Sequence, residues 1–365
     1  MNRQKPFIPA DLPPKLKYTD LFQDLVQARG KLGELNGAFG SIKNPQLISA
    51  PFITKEAVYS SQIEGTQATI EDVYRIEALS PDKESSEIEK DVKEISNYRE
   101  AIHIAIHELN KYPISSRLIK KIHEVLLYSV RGSNKDRGNF RKIQVFIGKP
   151  SVSIEEASFV PPPSNEIPRL ISNWEKYIHS DHEIDPLVMA GVAHYQFEAI
   201  HPFLDGNGRI GRILIPLILY ENNLIRYPSL FISQYFDEHR PDYYNCLNKV
   251  SAQNNWTDWL KFFLKAVYTT SNRAFVMINQ IRDLYDSTLP QFLKVSPSFG
   301  LSLHDMLFDS PFISFMKIKR LFPNMNSQTI YNVLNKFETS GIIQEITGQK
   351  RSKTYKFPKL IEIIK

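Results

Sequence analysis

The chain of 365 residues is 42% hydrophobic and 23% charged, with a net charge of +5, proportions of a globular protein with room for two or three compact domains. It has no apolar run of some 18 residues, which excludes a membrane-spanning helix. Met1 to Pro14 is polar and broken by prolines, without the apolar stretch of a secretion signal. Cys246 is the single cysteine, which excludes an intramolecular disulfide and a cysteine metal cluster and fits a reducing cytoplasm.

Helical patterning dominates from the N-terminus onward, so the fold class expected is mainly α. Residues 19–39 and 52–64 read as helices, the second stopped by Gly65. After the turn Ser80-Pro81-Asp82, residues 85–110 form a charged amphipathic helix, and 115–130 form another with Ser115 or Ser116 as N-cap. Ile143, Val145 and Ile147 then alternate, and Phe159-Val160 lead into Pro161 to Pro163, the pattern of a β-hairpin closed by prolines. Helices resume at about 166–179, 186–200, 208–222 and through 240–290, and Pro290 to Ser298 reads as a linker. The expected division is an N-terminal helical region over 1–110, a core with following helices over 111–290, and a third unit over 299–365.

That last unit has short helices at 301–308 and 314–321, then a helix from Ser327 to Thr339 with Ile330, Val333, Leu334 and Phe337 as its apolar stripe. Strands at 342–346 and 353–357 flank the tip Gly348-Gln-Lys-Arg-Ser352, so the order predicts a winged helix-turn-helix. Pro311 to Lys365 carries ten Lys/Arg against three Glu, a net +7 that leaves −2 for the rest. Such asymmetry fits either a polyanionic partner or a solvated lysine-rich surface.

The chemistry concentrates in His201-Pro-Phe-Leu-Asp-Gly-Asn-Gly-Arg-Ile-Gly-Arg212. Ile210, Ile213, Leu214, Leu217 and Ile218 bury one face of the helix that starts there, despite Pro216 within it. Arg209 and Arg212 lie one turn apart at the positive end of the helix dipole, an arrangement that calls for an anion. Gly206-Asn207-Gly208 supplies backbone able to curl around one, and arginine forks match phosphate oxygens. Asp205 beside phosphates implies a bridging cation, for which Mg²⁺ is suited. His201 supplies a group that titrates near neutrality and can take a proton from an attacking hydroxyl. Together these residues describe a phosphoryl- or nucleotidyl-transfer site. His194, Glu198 and His201 have a spacing that suggests a metal site, but His194 falls on the buried stripe and reads as a core histidine.

The same segment resembles the signature of the Fic family, His-Pro-Phe-x-x-Gly-Asn-Gly-Arg-x-x-Arg, at every fixed position, and the wider resemblance covers about residues 5–270. It implies a protein adenylyltransferase that moves AMP from ATP to a hydroxyl of a protein target, with His201 as base, Asp205 holding Mg²⁺, and Gly206, Asn207, Gly208, Arg209, Ile210, Gly211 and Arg212 around the nucleotide. Ser60-Ser-Gln-Ile-Glu64-Gly65 resembles the family's inhibitory motif, with Glu64 taking Arg212 from the γ-phosphate. The hairpin at 143–160 resembles the flap on which a target carrying a Ser, Thr or Tyr hydroxyl docks as an added strand. Tyr243 or Tyr244 could wall an adenine pocket, the resemblance favouring Tyr244. It extends also to homodimers and leaves AMP removal open, while the intact Gly-Asn-Gly-Arg run argues against kinase chemistry. A different reading is a DNA-binding regulator that uses Gln328, Tyr331, Asn332, Asn335 and Lys336 of the 327–339 helix, its core serving as a nucleotide sensor. The same unit could instead hold a protein partner.

Overall fold

A computed structural model describes residues 5–40, 45–79, 86–148, 156–180, 184–227, 230–349 and 352–365. The turn expected at 80–82, the tip of the expected hairpin at 149–155, and Lys350 and Arg351 of the basic tip lie outside the described residues.

The chain is mainly helical. α1 (Phe22–Gly40), α2 (Pro45–Ile63), α3 (Ile70–Ala78) and α4 (Glu87–Leu109) form the N-terminal part. α3 and α4 each begin with a complete capping box, Thr69 with Asp72 and Ser86 with Glu89, which satisfies two of the amides that a helix start leaves unpaired. α3 has no counterpart among the elements expected from sequence. It spans only nine residues, too short for a periodic pattern to stand out. α2 begins seven residues earlier than expected because it runs through Pro51.

α5 (Ser116–Leu126), α6 (Ile167–His179), α7 (Pro186–Ile200) and α8 (Asn207–Glu221) follow, and α7 packs along α6 and α8. Every residue of α7 between Leu187 and Ile200 except Glu198 is buried, which makes it the central helix of this part. The expected hairpin is much reduced. Among the described residues its arms meet in one bridge, Ile147 to Phe159. Pro161 to Pro163 have no N–H to offer a ladder. Side chains take the place of strand partners: Gln144 donates to the Pro161 carbonyl at 2.8 Å, and Arg141 donates to the carbonyls of Ile143 and Pro162 at 2.9 and 2.6 Å.

α9 (Ile232–Glu238) and α10 (Arg240–Gln253) lead into α11 (Trp256–Val295), a helix of 40 residues that lies along α1. The residues read as a linker from Pro290 are largely the end of α11. The proline removes one helix bond, but Phe292 is fully buried and stacks on Phe337 at 4.1 Å between ring centres, so packing holds the helix through it.

The C-terminal part comprises α12 (Gly300–Asp309), β1 (Phe312–Ser314), α13 (Phe315–Leu321), α14 (Ser327–Thr339), β2 (Gln344–Glu345), β3 (Thr354–Lys356) and α15 (Pro358–Ile364). The three short strands form an antiparallel sheet in the order β1-β3-β2, with Ile313 and Glu345 both opposite Tyr355. β1 and α15 were not expected. β1 is three residues of continuous burial, which carries no alternation. This part packs on α2, α3 and α11. Lys55 of α2 donates to the carbonyls of Ile364 and Lys365, and Glu71 of α3 pairs with Lys356 and Lys365 at 3.5 and 2.5 Å. Some of the basic excess is therefore spent inside the molecule.

Candidate active site

The site forms where α7 ends and α8 begins. His201 is the C-cap of α7 and adopts the left-handed conformation, φ 48° and ψ 62°, which turns the chain out of the helix before Pro202. Arg141 fixes this turn, its Nε donating to the His201 carbonyl at 2.8 Å and its own amide to the Pro202 carbonyl at 2.8 Å. Gly206, also left-handed at φ 79°, starts α8. Between the two turns Asn207 clamps the loop: its Oδ1 accepts from Phe203 N–H at 2.8 Å and its Nδ2 donates to the Phe203 carbonyl at 2.9 Å. A polar side chain 2% exposed is thereby satisfied, and the loop closes back on the helix start.

His123 of α5 supports the loop from below. Its ring stacks on Phe203 at 3.8 Å and 9°. Gly138 N–H donates to Nδ1 at 2.8 Å, so the proton resides on Nε2, which donates to the Asp205 carbonyl at 3.0 Å. Burial pushes its pKa down to about 4, consistent with a neutral structural imidazole.

The first-turn amides of α8, at 207–209, have no acceptor within the helix; the first such bond runs from Ile210 N–H to the Gly206 carbonyl. Ile210 is one of the residues expected around the nucleotide. Its amide is engaged and its side chain is fully buried in the core. A Cβ at Gly208 would collide with Glu64 Oε1, and one at Gly211 with Glu198 Oε1, so both glycines admit a close carboxylate.

The two arginines are buried and already hold acids. Arg209, 4% exposed, pairs with Glu94 at 3.1 Å and with Asp205 at 3.5 Å. Burial raises the Glu94 pKa despite Arg209 and Arg131 beside it. Arg212, 1% exposed, donates through Nε to Ser60 Oγ at 2.8 Å, and through Nη2 to the Ser60 carbonyl at 3.0 Å and to Glu64 Oε1 at 2.6 Å. Burial works against ionisation of Glu64, but the Arg212 charge and hydrogen bond, with Arg209 and His201 further off, outweigh it and hold its pKa below the ordinary value. The anion that the arginines call for is thus supplied by carboxylates, Glu94 and Asp205 on one and Glu64 on the other.

His201 itself is neutral. Burial and the Arg141 charge lower its pKa to about 4, and the Glu198 backbone with the carboxylates of Glu64 and Asp205 offsets this only in part. Its Nδ1 is buried without a well-formed hydrogen bond among the described residues. No group of three His, Cys, Asp or Glu able to hold a metal occurs among the described residues. His194 is a core residue: its Nδ1 donates to the Gly211 carbonyl at 3.0 Å, so its Nε2 accepts from the Tyr243 hydroxyl at 2.8 Å. Tyr243 is buried in that core, while Tyr244 is 44% exposed and lines a cavity of about 340 Å³ with Glu198, Leu247, Ile147 and Phe159.

Sequence reasoning named His201, Asp205, Asn207, Arg209, Arg212 and Glu64, all of which meet around one helix start. It did not name Glu94, His123 or Arg141, which come from other elements and carry no local pattern. Glu198 appeared only within the rejected metal set.

Comparison with known proteins gives the following. The Fic/DOC family N-terminal profile matches residues 22–107, and the Fic/DOC family profile matches residues 113–219. A probable protein adenylyltransferase of Aquifex aeolicus (strain VF5) is 36% identical over 119 residues, 33% of this chain and 34% of that protein. The protein adenylyltransferase Fic of Drosophila yakuba is 29% identical over 156 residues, 42% of this chain and 28% of that protein. The chain thus spans about a third of the length of these relatives. A Fic family protein of Desulfovibrio desulfuricans G20 has a similar fold, with a TM-score of 0.57 at 20% identity over 97% of this chain and 98% of that one. A Fic domain containing signaling protein of Bacteroides thetaiotaomicron VPI-5482 has a TM-score of 0.54 at 19% identity over 70% of this chain and 95% of that one.

Proposed function

For this chain, which belongs to the Fic/DOC family, we propose the transfer of AMP from ATP to a hydroxyl side chain of a protein. The observation that carries the reading is the convergence of a neutral imidazole, a clamped loop and two buried arginines on the first turns of α8. The names of the matched relatives, protein adenylyltransferases, support it.

The hydroxyl oxygen attacks the α-phosphorus, the bond from that phosphorus to the bridging oxygen breaks, and pyrophosphate leaves. The hydroxyl proton passes to the His201 imidazole, which is unprotonated above pH 5 and so able to accept it. The free amides at 207–209 and the guanidinium groups of Arg209 and Arg212 bind phosphate oxygens, placing the donor in line and balancing charge as the leaving group departs. Arg141 and Asn207 hold the base and the loop at fixed positions.

Asp205 suits Mg²⁺. One carboxylate with nucleotide phosphates is the donor set that this ion prefers, and no richer cluster competes among the described residues. The ion would neutralise phosphate charge.

Glu64 restrains the reaction. While it holds Arg212, that guanidinium is withheld from the γ-phosphate and the donor binds unproductively. The segment around Ile143, Phe146 and Ile147, residues that are exposed to solvent, is where a target segment adds as a strand and presents its hydroxyl.

The order of the C-terminal part, helix, strand, two helices and two strands, supports reading it as a winged helix. Gln328, Asn332, Asn335 and Lys336 on the outer face of α14 are exposed and favour a second reading, DNA binding. Tyr331 is half-buried instead, stacked on Phe315 at 4.3 Å, with its hydroxyl accepting from Ser352 N–H. A DNA pull-down that weakens steeply with salt tests that reading.

Intact-mass spectrometry after incubation with Mg-ATP and candidate proteins tests the main one. An added AMP that His201→Ala abolishes is the expected result, and unchanged masses for every partner with the Glu64→Gly protein contradict it.

A further inference from the structure

Glu198 is the one residue of α7 between Leu187 and Ile200 that is not buried, and no step described above uses it. Its carboxyl spans two regions. Oε1 lies against Gly211 on the second turn of α8, so close that a Cβ there would collide with it. Glu198 also lines the 340 Å³ cavity that Tyr244, Leu247, Ile147 and Phe159 border. Oε1 is enclosed and has no hydrogen-bond partner among the described residues. A buried carboxyl oxygen without a donor is unfavourable, and such a group in a cavity wall calls for a ligand that donates to it.

The order of chemistry along this cleft is phosphate-binding helix, then carboxyl, then an aromatic and apolar slot. A nucleoside triphosphate with its phosphates on α8 and its base beside Tyr244 has one moiety left for the middle, the sugar. The sugar's hydroxyls are donors, and a carboxyl oxygen facing a ribose hydroxyl is a common way for proteins to recognise a ribonucleotide.

We propose that Glu198 accepts a hydrogen bond from a ribose hydroxyl of the nucleotide donor and makes this protein select ribonucleoside over deoxyribonucleoside triphosphates. This rests on the nucleotide reading of the α8 site. Burial raises the Glu198 pKa to about 7 against the pull of Arg212, and either protonation state keeps an oxygen able to accept. A site built around a substrate hydroxyl rejects the analogue that lacks it, because the protein's own polar group is then left unpaired.

The test uses the full-length Glu64→Gly protein and compares ATP with 2′-dATP and 3′-dATP, by calorimetric binding and by AMP transfer. At least one deoxy analogue is expected to bind roughly 10- to 100-fold more weakly than ATP, the range for one hydrogen bond to a charged group. Glu198→Ala should bring that ratio close to one, mainly through KM, while Glu198→Gln, which keeps an acceptor oxygen and the shape, retains most of it. A role in packing alone would lower affinity for all three nucleotides alike and leave the ratio unchanged, which overturns the assignment. So would equal binding of all three by the Glu64→Gly protein, or a Glu198→Ala effect confined to ATP against ITP, which would put the carboxyl on the base. If no nucleotide binds at all, the α8 reading fails and takes this assignment with it; if nucleotides bind without transfer, only the transfer reading fails and the sugar ratios still decide.

Discussion

Glu64 Oε1 lies 2.6 Å from Arg212 Nη2, joining the end of α2 to the second turn of α8. Arg212 is 1% exposed at its side chain and Glu64 is 35% exposed, so a buried cation is held by an acid at the mouth of the site. An acid so placed can be displaced by a competing anion without unpacking the core. Ser60 reinforces the contact from one turn earlier on α2 through both its hydroxyl and its carbonyl.

Ser60→Ala removes one of these bonds while leaving the carbonyl and Glu64 in place. Transfer is expected to rise modestly, roughly threefold to tenfold, the effect of one net hydrogen bond of about 1 kcal/mol. Initial rates of AMP incorporation check this, and a rate equal to or below wild type would place Ser60 outside the restraint.

Asn207→Ala should reduce both activity and stability. It leaves the Phe203 N–H and carbonyl without their partners inside the loop, at an expected cost of about 2–4 kcal/mol. A lower urea midpoint together with at least tenfold slower transfer is the predicted result; an unchanged midpoint would show that the clamp does not hold the loop.

Arg141→Met tests the positioning of the base. The guanidinium donates to carbonyls of His201, Ile143, Pro162 and Ile200 but pairs with no acid among the described residues, and burial lowers its pKa to about 10. Its loss frees four carbonyls and removes a charge that depresses the His201 pKa. The acid limb of the pH–rate profile should shift upward as kcat falls. A lower kcat with an unmoved acid limb would confine Arg141 to packing.

Stability should fall on mild acidification. His123, His201 and His304 have pKa values lowered to about 4, and His194 to about 3, in each case first by burial. The unfolded chain binds protons at these groups from about pH 6.5 downward while the folded one does not, so their contribution is complete above that pH and is lost towards pH 4. Glu56 and Glu198, raised to about 7 by burial, and Glu94 and Glu221, raised as well, act in the opposite sense above about pH 4.5, but with His103, also lowered by burial, the histidines are five against four. The urea midpoint should be lower at pH 5 than at pH 7, and an equal or higher value at pH 5 would contradict the neutral-histidine account.

The chemistry was legible in sequence where it is contiguous. His201 to Arg212 are neighbours, and the Ile210, Ile213, Leu214 stripe forces a helix whose first two turns must carry Arg209 and Arg212. Partners delivered by distant elements were not legible: Glu94 reaches Arg209 across 115 residues and Arg141 reaches His201 across 60. The linker expected at Pro290 failed because tertiary packing of Phe292 outweighs one lost helix bond. The hairpin is seen only in part: its arms meet at Ile147 and Phe159, and Pro161 to Pro163 have no N–H with which to extend the ladder.

The most direct test follows label from ATP. The Glu64→Gly protein is incubated with Mg²⁺ and ATP labelled at either the α- or the γ-phosphate, beside wild type and a Glu64→Gly/His201→Ala protein. Protein-bound label should come from the α-position alone, at least tenfold above wild type, and disappear in the double variant. Label from the γ-phosphate, or no gain over wild type, would contradict a nucleotidyl-transfer site restrained by Glu64.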